Sequence, residues 1–150
     1  MVVTFCGHKD IYDLDGTIRS WLTDTVEALI LRRADLFFFG GCGGFEHLAA
    51  SVVWELKKKY PQIQSVLVLP YLDRKVDEKG YDGTTYPPLE TVPRRFAILK
   101  RNEWMVRESD VLVAYVIYDW GSAVKTLEYA QRKKKEIIRY TPTEDADESA

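Results

Sequence analysis

Apolar residues in this chain follow two different spacings, and the two alternate along its length. Five short runs, Val2–Cys6, Leu36–Phe39, Val66–Leu69, Val111–Val116 and Glu136–Ile138, are mostly continuous in apolar side chains, and several are rich in Val, Ile and Phe. Continuous runs of this length fit strands covered on both faces, as in a parallel sheet, and not strands with one wet face. Between the runs, apolar positions recur every three or four residues. Ile18, Trp21, Leu22, Val26, Leu29 and Ile30 line one face of a helix whose expected N-cap is Asp15. A second helix is expected from about Phe45 to Tyr60, with Leu48, Ala49, Val52, Val53 and Leu56 turned inward. The cations Lys57-Lys58-Lys59 oppose the negative end of its dipole, and Pro61 stops it. Two further helices are expected over roughly Pro93–Arg107 and Ala123–Lys134.

The resulting order, β-α-β-α-β-loop-α-β-α-β, predicts an α/β fold of three layers. Five main strands form an open parallel sheet in the spatial order 3-2-1-4-5, with helices on both faces. Ligands in such sheets sit beyond the carboxyl ends of the strands, near the point where the strand order reverses. That places attention on Gly7-His8, Gly40–Gly44, Pro70-Tyr71 and Tyr118–Ser122, each just after a strand. The stretch from Tyr71 to Val92 contains Gly80, Gly83, Pro87 and Pro88 and has no clear period. A loop of that length leaving the carboxyl edge could act as a lid.

Composition narrows the class. A chain of 150 residues with 46% hydrophobic and 29% charged residues fits one globular domain, here expected over residues 1–140. The net charge of −2 conceals an acidic end: Glu144, Asp145, Asp147 and Glu148 lie in residues 141–150, a tail expected to be disordered. Without it, 21 basic face 19 acidic side chains, a balance that argues against a nucleic-acid binder. Cys6 and Cys42 lack zinc-ligand spacing and read as reduced thiols. No targeting signal or membrane-length apolar run is visible, so the expected location is the cytoplasm, off the membrane. His8 and His47 without a carboxylate cluster argue against a metal site, and no cofactor is called for.

The strongest local signal is Gly40-Gly41-Cys42-Gly43-Gly44, directly after Phe37-Phe38-Phe39 and directly before a helix. Glycines let backbone N–H groups approach a ligand closely, and a helix start adds free N–H groups and partial positive charge suited to phosphate. Four glycines exceed what a turn needs, which favours ligand contact at Gly40–Phe45 over a plain turn. Trp120-Gly121-Ser122-Ala123 opens a second helix after a strand, with Thr126 and Glu128 in its first turns. It offers a second anion cradle, or, more simply, Ser122 as an N-cap. Arg101 and Asn102 sit on a helix before the fourth strand, where an arginine alone is more often a solvated charge. His8 lies at the strand-order reversal, able to donate to a ligand or to cap a backbone group. Tyr71, Tyr118 and Trp120 are placed to stack on a base.

Four blocks of this sequence also resemble a known superfamily. Thr4-Phe5-Cys6-Gly7-His8-Lys9, Phe39 through Ala50, Val68-Leu69-Pro70-Tyr71 and Arg101 through Tyr115 are similar, in order and spacing, to the motif blocks of bacterial and phage SLOG (SMF/DprA–LOG) proteins. The resemblance implies a Rossmann-like sheet and a nucleotide or nucleotide-derived ligand. In LOG phosphoribohydrolases an arginine and a glutamate act on a nucleoside monophosphate; Arg101 falls on that arginine, and Glu128 is the nearest match to the acid. The loop Tyr118-Asp119-Trp120-Gly121-Ser122-Ala123 departs from the Pro-Gly-Gly run of those hydrolases. Relatives often pair through helices, so the resemblance implies a homodimer that the residues themselves do not show. The expected role is therefore binding or sensing of a nucleotide-like small molecule. The alternatives are N-glycosidic hydrolysis of a nucleoside monophosphate and an adaptor for protein or single-stranded DNA.

Overall fold

In the computed structural model, which describes residues 1–142, six parallel strands form one sheet. The elements are β1 (Val2–Gly7), α1 (Thr17–Leu31), β2 (Leu36–Phe39), α2 (Gly43–Leu56), β3 (Gln64–Val68), β4 (Gly83–Thr85), α3 (Ala97–Glu108), β5 (Val111–Tyr115), α4 (Ser122–Arg132) and β6 (Glu136–Arg139). Their spatial order is β4-β3-β2-β1-β5-β6. The five expected strands keep their expected sequence, and β4 adds a sixth beside β3, paired Val66 with Gly83 through Val68 with Thr85. This strand has only the residues Gly-Thr-Thr, so it carries no apolar signature. The acidic run 144–148 lies outside the described residues.

Alternation along each strand sorts side chains between two helical layers. Val3, Phe5, Phe37, Phe39, Val111, Val113 and Tyr115 pack under α1 and α2. Cys6, Leu112, Ala114 and Val116 pack under α4, together with Val106 of α3, and Phe38 and Val68 under α3 beside Met105. Both faces of β5 are covered and all five of its residues are buried, which is why the run is unbroken in the sequence. The Phe5 and Phe39 rings stack with centroids 4.8 Å apart and lock β1 to β2 in addition to their backbone ladder.

Helix ends differ from expectation in instructive ways. The residue capping α1 is Gly16, in the left-handed region at φ 73°. The Asp15 carboxylate reaches only the Thr17 N–H, while Asp13 accepts from Ile18 at 2.8 Å and Arg19 at 2.9 Å and does most of the capping. Helix α2 ends at Leu56, so the three lysines lie beyond it and form ion pairs with Asp82, Glu55 and Glu27. One 3-10 turn, Arg94–Phe96, precedes α3. At the start of α4 the capping residue is Gly121, and Ser122 is already the first helical residue, so it is not the N-cap.

Close approach of β1 to α2 sets one strict size limit. A Cβ on Gly7 would lie 2.3 Å from the Phe45 ring. Gly7→Ala is expected to destabilise the fold by roughly 1–3 kcal/mol through overpacking, read as a lower midpoint in urea unfolding.

Candidate functional site

The strand order reverses between β1 and β5, and a cavity of about 420 Å³ opens at their carboxyl ends. Gly7 closes it from β1, Cys42 and Gly43 from the glycine loop, Arg101, Asn102 and Met105 from α3, and Ser122, Ala123 and Thr126 from α4. The glycine loop and the α4 start therefore face one common hollow. A second cavity, about 650 Å³, lies across the glycine loop beneath the β3–β4 connection; it includes Gly40, Gly41, Pro70 and Tyr71. Cys42, Ile98 and Arg101 border both.

The two helix starts are not equivalent. At α2 the Gly44 N–H donates to the Lys9 carbonyl at 2.7 Å and the Phe45 N–H to the His8 carbonyl at 3.4 Å. The Glu46 carboxylate turns back to accept the Gly40 N–H at 2.7 Å. Much of the donor set expected to cradle an anion is thus engaged inside the protein, with a carboxylate already among the loop amides. At α4 no side chain caps the helix, and no protein acceptor among the described residues meets the Ser122 or Ala123 N–H. These amides carry the partial positive charge of the helix end into the cavity.

The glycines have protein reasons as well. A Cβ on Gly43 would come within 2.9 Å of the Lys9 Cα, and one on Gly40 within 3.0 Å of the Arg101 guanidinium carbon. Gly40 and Gly43, read from the sequence as part of a ligand signal, thus also make room for α3 and for the post-β1 turn.

Arg101 is not a solvated helix charge. It is 1% exposed, and its Nη1 donates to the carbonyls of Gly40 at 3.0 Å and Val68 at 2.9 Å. Nε donates to the Asn102 side-chain oxygen at 2.8 Å, and Nη2 faces the Cys42 sulfur at 3.8 Å. Glu46 is buried nearby; desolvation pushes its carboxyl above the usual range, while the Gly40 amide and Arg101 work against that shift. Burial also pushes the Cys6 thiol far up, which makes it an inert wall residue. Tyr81, at the edge of the larger cavity, is raised to about 12 by desolvation and by the Glu46, Cys42 and Asp77 charges, so its phenol stays protonated.

His8 borders neither cavity. Its buried Nε2 accepts the N–H groups of Ile117 at 2.9 Å and Tyr118 at 3.1 Å, so it caps backbone and does not reach for a ligand. Phe45 is fully buried against Tyr115 in the core. Gly44, Tyr118, Trp120 and Gly121 border neither cavity; Tyr118 and Trp120 stack on each other 4.5 Å apart at the surface. Glu128 is exposed on α4 and borders neither cavity, so it is not brought together with Arg101. Two charged residues at the smaller cavity carry no site expectation from the sequence: Lys9, one position beyond His8, and Glu46, whose place in the first turn of a helix was the available signal.

The model of the YspA SLOG family matches residues 10–82. A UPF0398 protein of Halalkalibacterium halodurans is 29% identical over 137 residues, covering 79% of this chain and 70% of that one. Over residues 10–82 the chain is thus similar to SLOG proteins. At the level of fold alone, the chain is similar to a DNA processing protein A from Helicobacter pylori, described for its single-stranded DNA binding mode. The TM-score is 0.67 at 14% identity, covering 95% of this chain and 66% of the other. It is likewise similar to the molybdenum cofactor carrier protein of Chlamydomonas reinhardtii, with a TM-score of 0.60 at 14% identity, covering 99% and 80%. The expectation against nucleic acid does not stand on the fold, because a single-stranded DNA binder shares it. Among the described residues no helix is long and apolar enough to cross a membrane.

Two outcomes follow from these contacts. Arg101→Met removes the donors to two buried carbonyls and is expected to cost at least about 2 kcal/mol, read by chemical denaturation. Desolvation lowers the His8 pKa below its ordinary 6.5. The unfolded chain then binds the proton more readily, so this contribution is full above about pH 6.5 and is lost as pH falls through the folded value. An NMR titration of the His8 ring is expected to show a midpoint below 6.5.

Proposed function

We propose that the cavity at the strand-order reversal binds the phosphate-bearing part of a nucleotide-like small molecule, and that the protein is a binding or sensing module. The observation that carries this reading is the pair of unpartnered amides, Ser122 and Ala123, opening onto the same hollow as the end of β1. Helix starts of this kind favour anions without any base-specific contact. Lys9 at the rim, which forms no ion pair among the described residues, adds a positive charge. The Thr126 hydroxyl and the Asn102 amide supply neutral polar groups at the wall.

Binding is favoured over N-glycosidic hydrolysis by the carboxylates. Glu46 is the acid that borders this cavity, and it is engaged with the Gly40 amide. Arg101, on the position the resemblance made catalytic, has its Nη1 and Nε engaged with protein oxygens. Its role in this reading is to hold the glycine loop in shape while contributing charge from behind it.

The test is titration calorimetry with nucleosides, nucleoside mono-, di- and triphosphates, inorganic phosphate and short single-stranded oligonucleotides. Phosphorylated nucleosides are expected to bind and unphosphorylated ones to bind far more weakly. Ser122→Asp places a carboxylate where the phosphate belongs while remaining favourable for the helix, so it is expected to weaken binding at least about tenfold, or ~1.4 kcal/mol, without loss of fold. Absence of binding to every phosphorylated nucleoside ends this reading, and oligonucleotides binding more tightly than any mononucleotide would replace it with a strand-binding role.

A further inference from the structure

The larger cavity lies on the other side of the glycine loop, and its walls have a different chemistry. Its inner surface includes Leu67 and Leu69 at the end of β3 and Ala50 of α2. Three aromatic side chains border it, Trp54 from α2, which is 43% exposed, and Tyr71 and Tyr81 from the β3–β4 connection. Around them stand four cations from separate parts of the chain: Arg19 of α1, and Arg74, Lys75 and Lys79 of the connection. None of the four has a carboxylate partner among the described residues. Arg19 donates to the Ser51 hydroxyl at 2.9 Å, and the Arg74 guanidinium lies 4.4 Å from the Tyr71 ring centroid. The acids bordering the cavity are Glu55 and Asp77. Glu55 is paired with Lys58, and Asp77 accepts the backbone N–H of Lys79 at 3.0 Å.

Like charges gathered around one hollow repel each other unless an anion joins them. An apolar floor with exposed aromatic edges, meanwhile, favours a flat ring over water. The connection that supplies three of the cations is fixed to the sheet through β4. Asp82 extends that anchor by accepting the Ser65 N–H at 2.8 Å and pairing with Lys57. The segment carrying the cations is therefore anchored to the sheet at its β4 end. At about 650 Å³ the space is within the usual range for a whole small-molecule ligand.

We propose that this cavity is a second, separate ligand site, which takes a polyanion carrying a flat ring, of the class of nucleoside di- and triphosphates. The ring lies on Trp54 and Tyr81, and the phosphates meet Arg74, Lys75 and Lys79, with Arg19 at the opposite wall. The site does not depend on the α4 amides, and so it stands or falls apart from the function proposed above.

The test uses ATP as the probe, with adenosine and inorganic tripolyphosphate as its two halves, on the full chain. ATP is expected to quench tryptophan fluorescence in the wild type, and the quench is expected to be lost in Trp54→Phe. The double variant Lys75→Glu/Lys79→Glu, whose side chains are exposed and leave the core untouched, is expected to weaken this binding at least tenfold. Ser122→Asp is expected to leave it unchanged, and calorimetry on the wild type then resolves two sites for ATP, one lost in each variant. The proposal is overturned if ATP at millimolar concentration does not bind, or if charge reversal leaves its affinity unaltered. It is equally overturned if adenosine or tripolyphosphate alone binds as tightly as ATP.

Discussion

A buried guanidinium organises the carboxyl edge of this sheet. Arg101 reaches from α3 across the ends of β2 and β3 and ties the carbonyls of Gly40 and Val68 to one nitrogen. A charge with 1% exposure is tolerable only where its donors meet oxygens in good geometry, and these carbonyls supply them. The same contact fixes where the glycine loop turns, how closely it passes α3, and hence the wall between the two cavities. Glu46 completes the arrangement from the opposite side by holding the Gly40 amide. One residue, Gly40, is thereby gripped by its N–H and its C=O at once.

That grip decides which helix start can serve a ligand. With Lys9, His8 and Glu46 satisfying amides around the start of α2, the loop is a rigid partition more than an open cradle. The free donors are across the hollow, on α4, where glycine caps the helix and no side chain folds back. Parallel strands with helices on alternate faces bring these two starts together because the chain crosses over between β4 and β5. The chemistry of the edge follows from topology first and from side chains second.

Much of the architecture could be read from residue spacing, since a run such as Val111–Tyr115 has no polar position and must be covered on both sides. The strand Gly83–Thr85 escaped because three residues without an apolar side chain contain no periodicity to detect; only backbone pairing with β3 makes it a strand. The grouping of candidate residues was legible in outline, as Gly7, Cys42, Gly43, Asn102, Ser122, Ala123 and Thr126 do share a cavity. Roles were harder. A lone arginine on a helix gives no sign of burial until the carbonyls of two distant strands are placed around it. Likewise, a glycine that makes room for Lys9 looks in sequence like one that makes room for phosphate. His8 shows the same limit: its partners, the amides of Ile117 and Tyr118, are more than a hundred residues away.

The two thiols of this chain occupy opposite circumstances. Cys6 is enclosed under α4, and its proton is held tightly by burial. Cys42 stands exposed on the partition between the compartments, with its sulfur beside Arg101. Nature has thus left a single addressable handle at a position common to both chambers. A small alkylating dye would attach there selectively in the unaltered protein, and a change in its emission would report occupancy on either side of the wall.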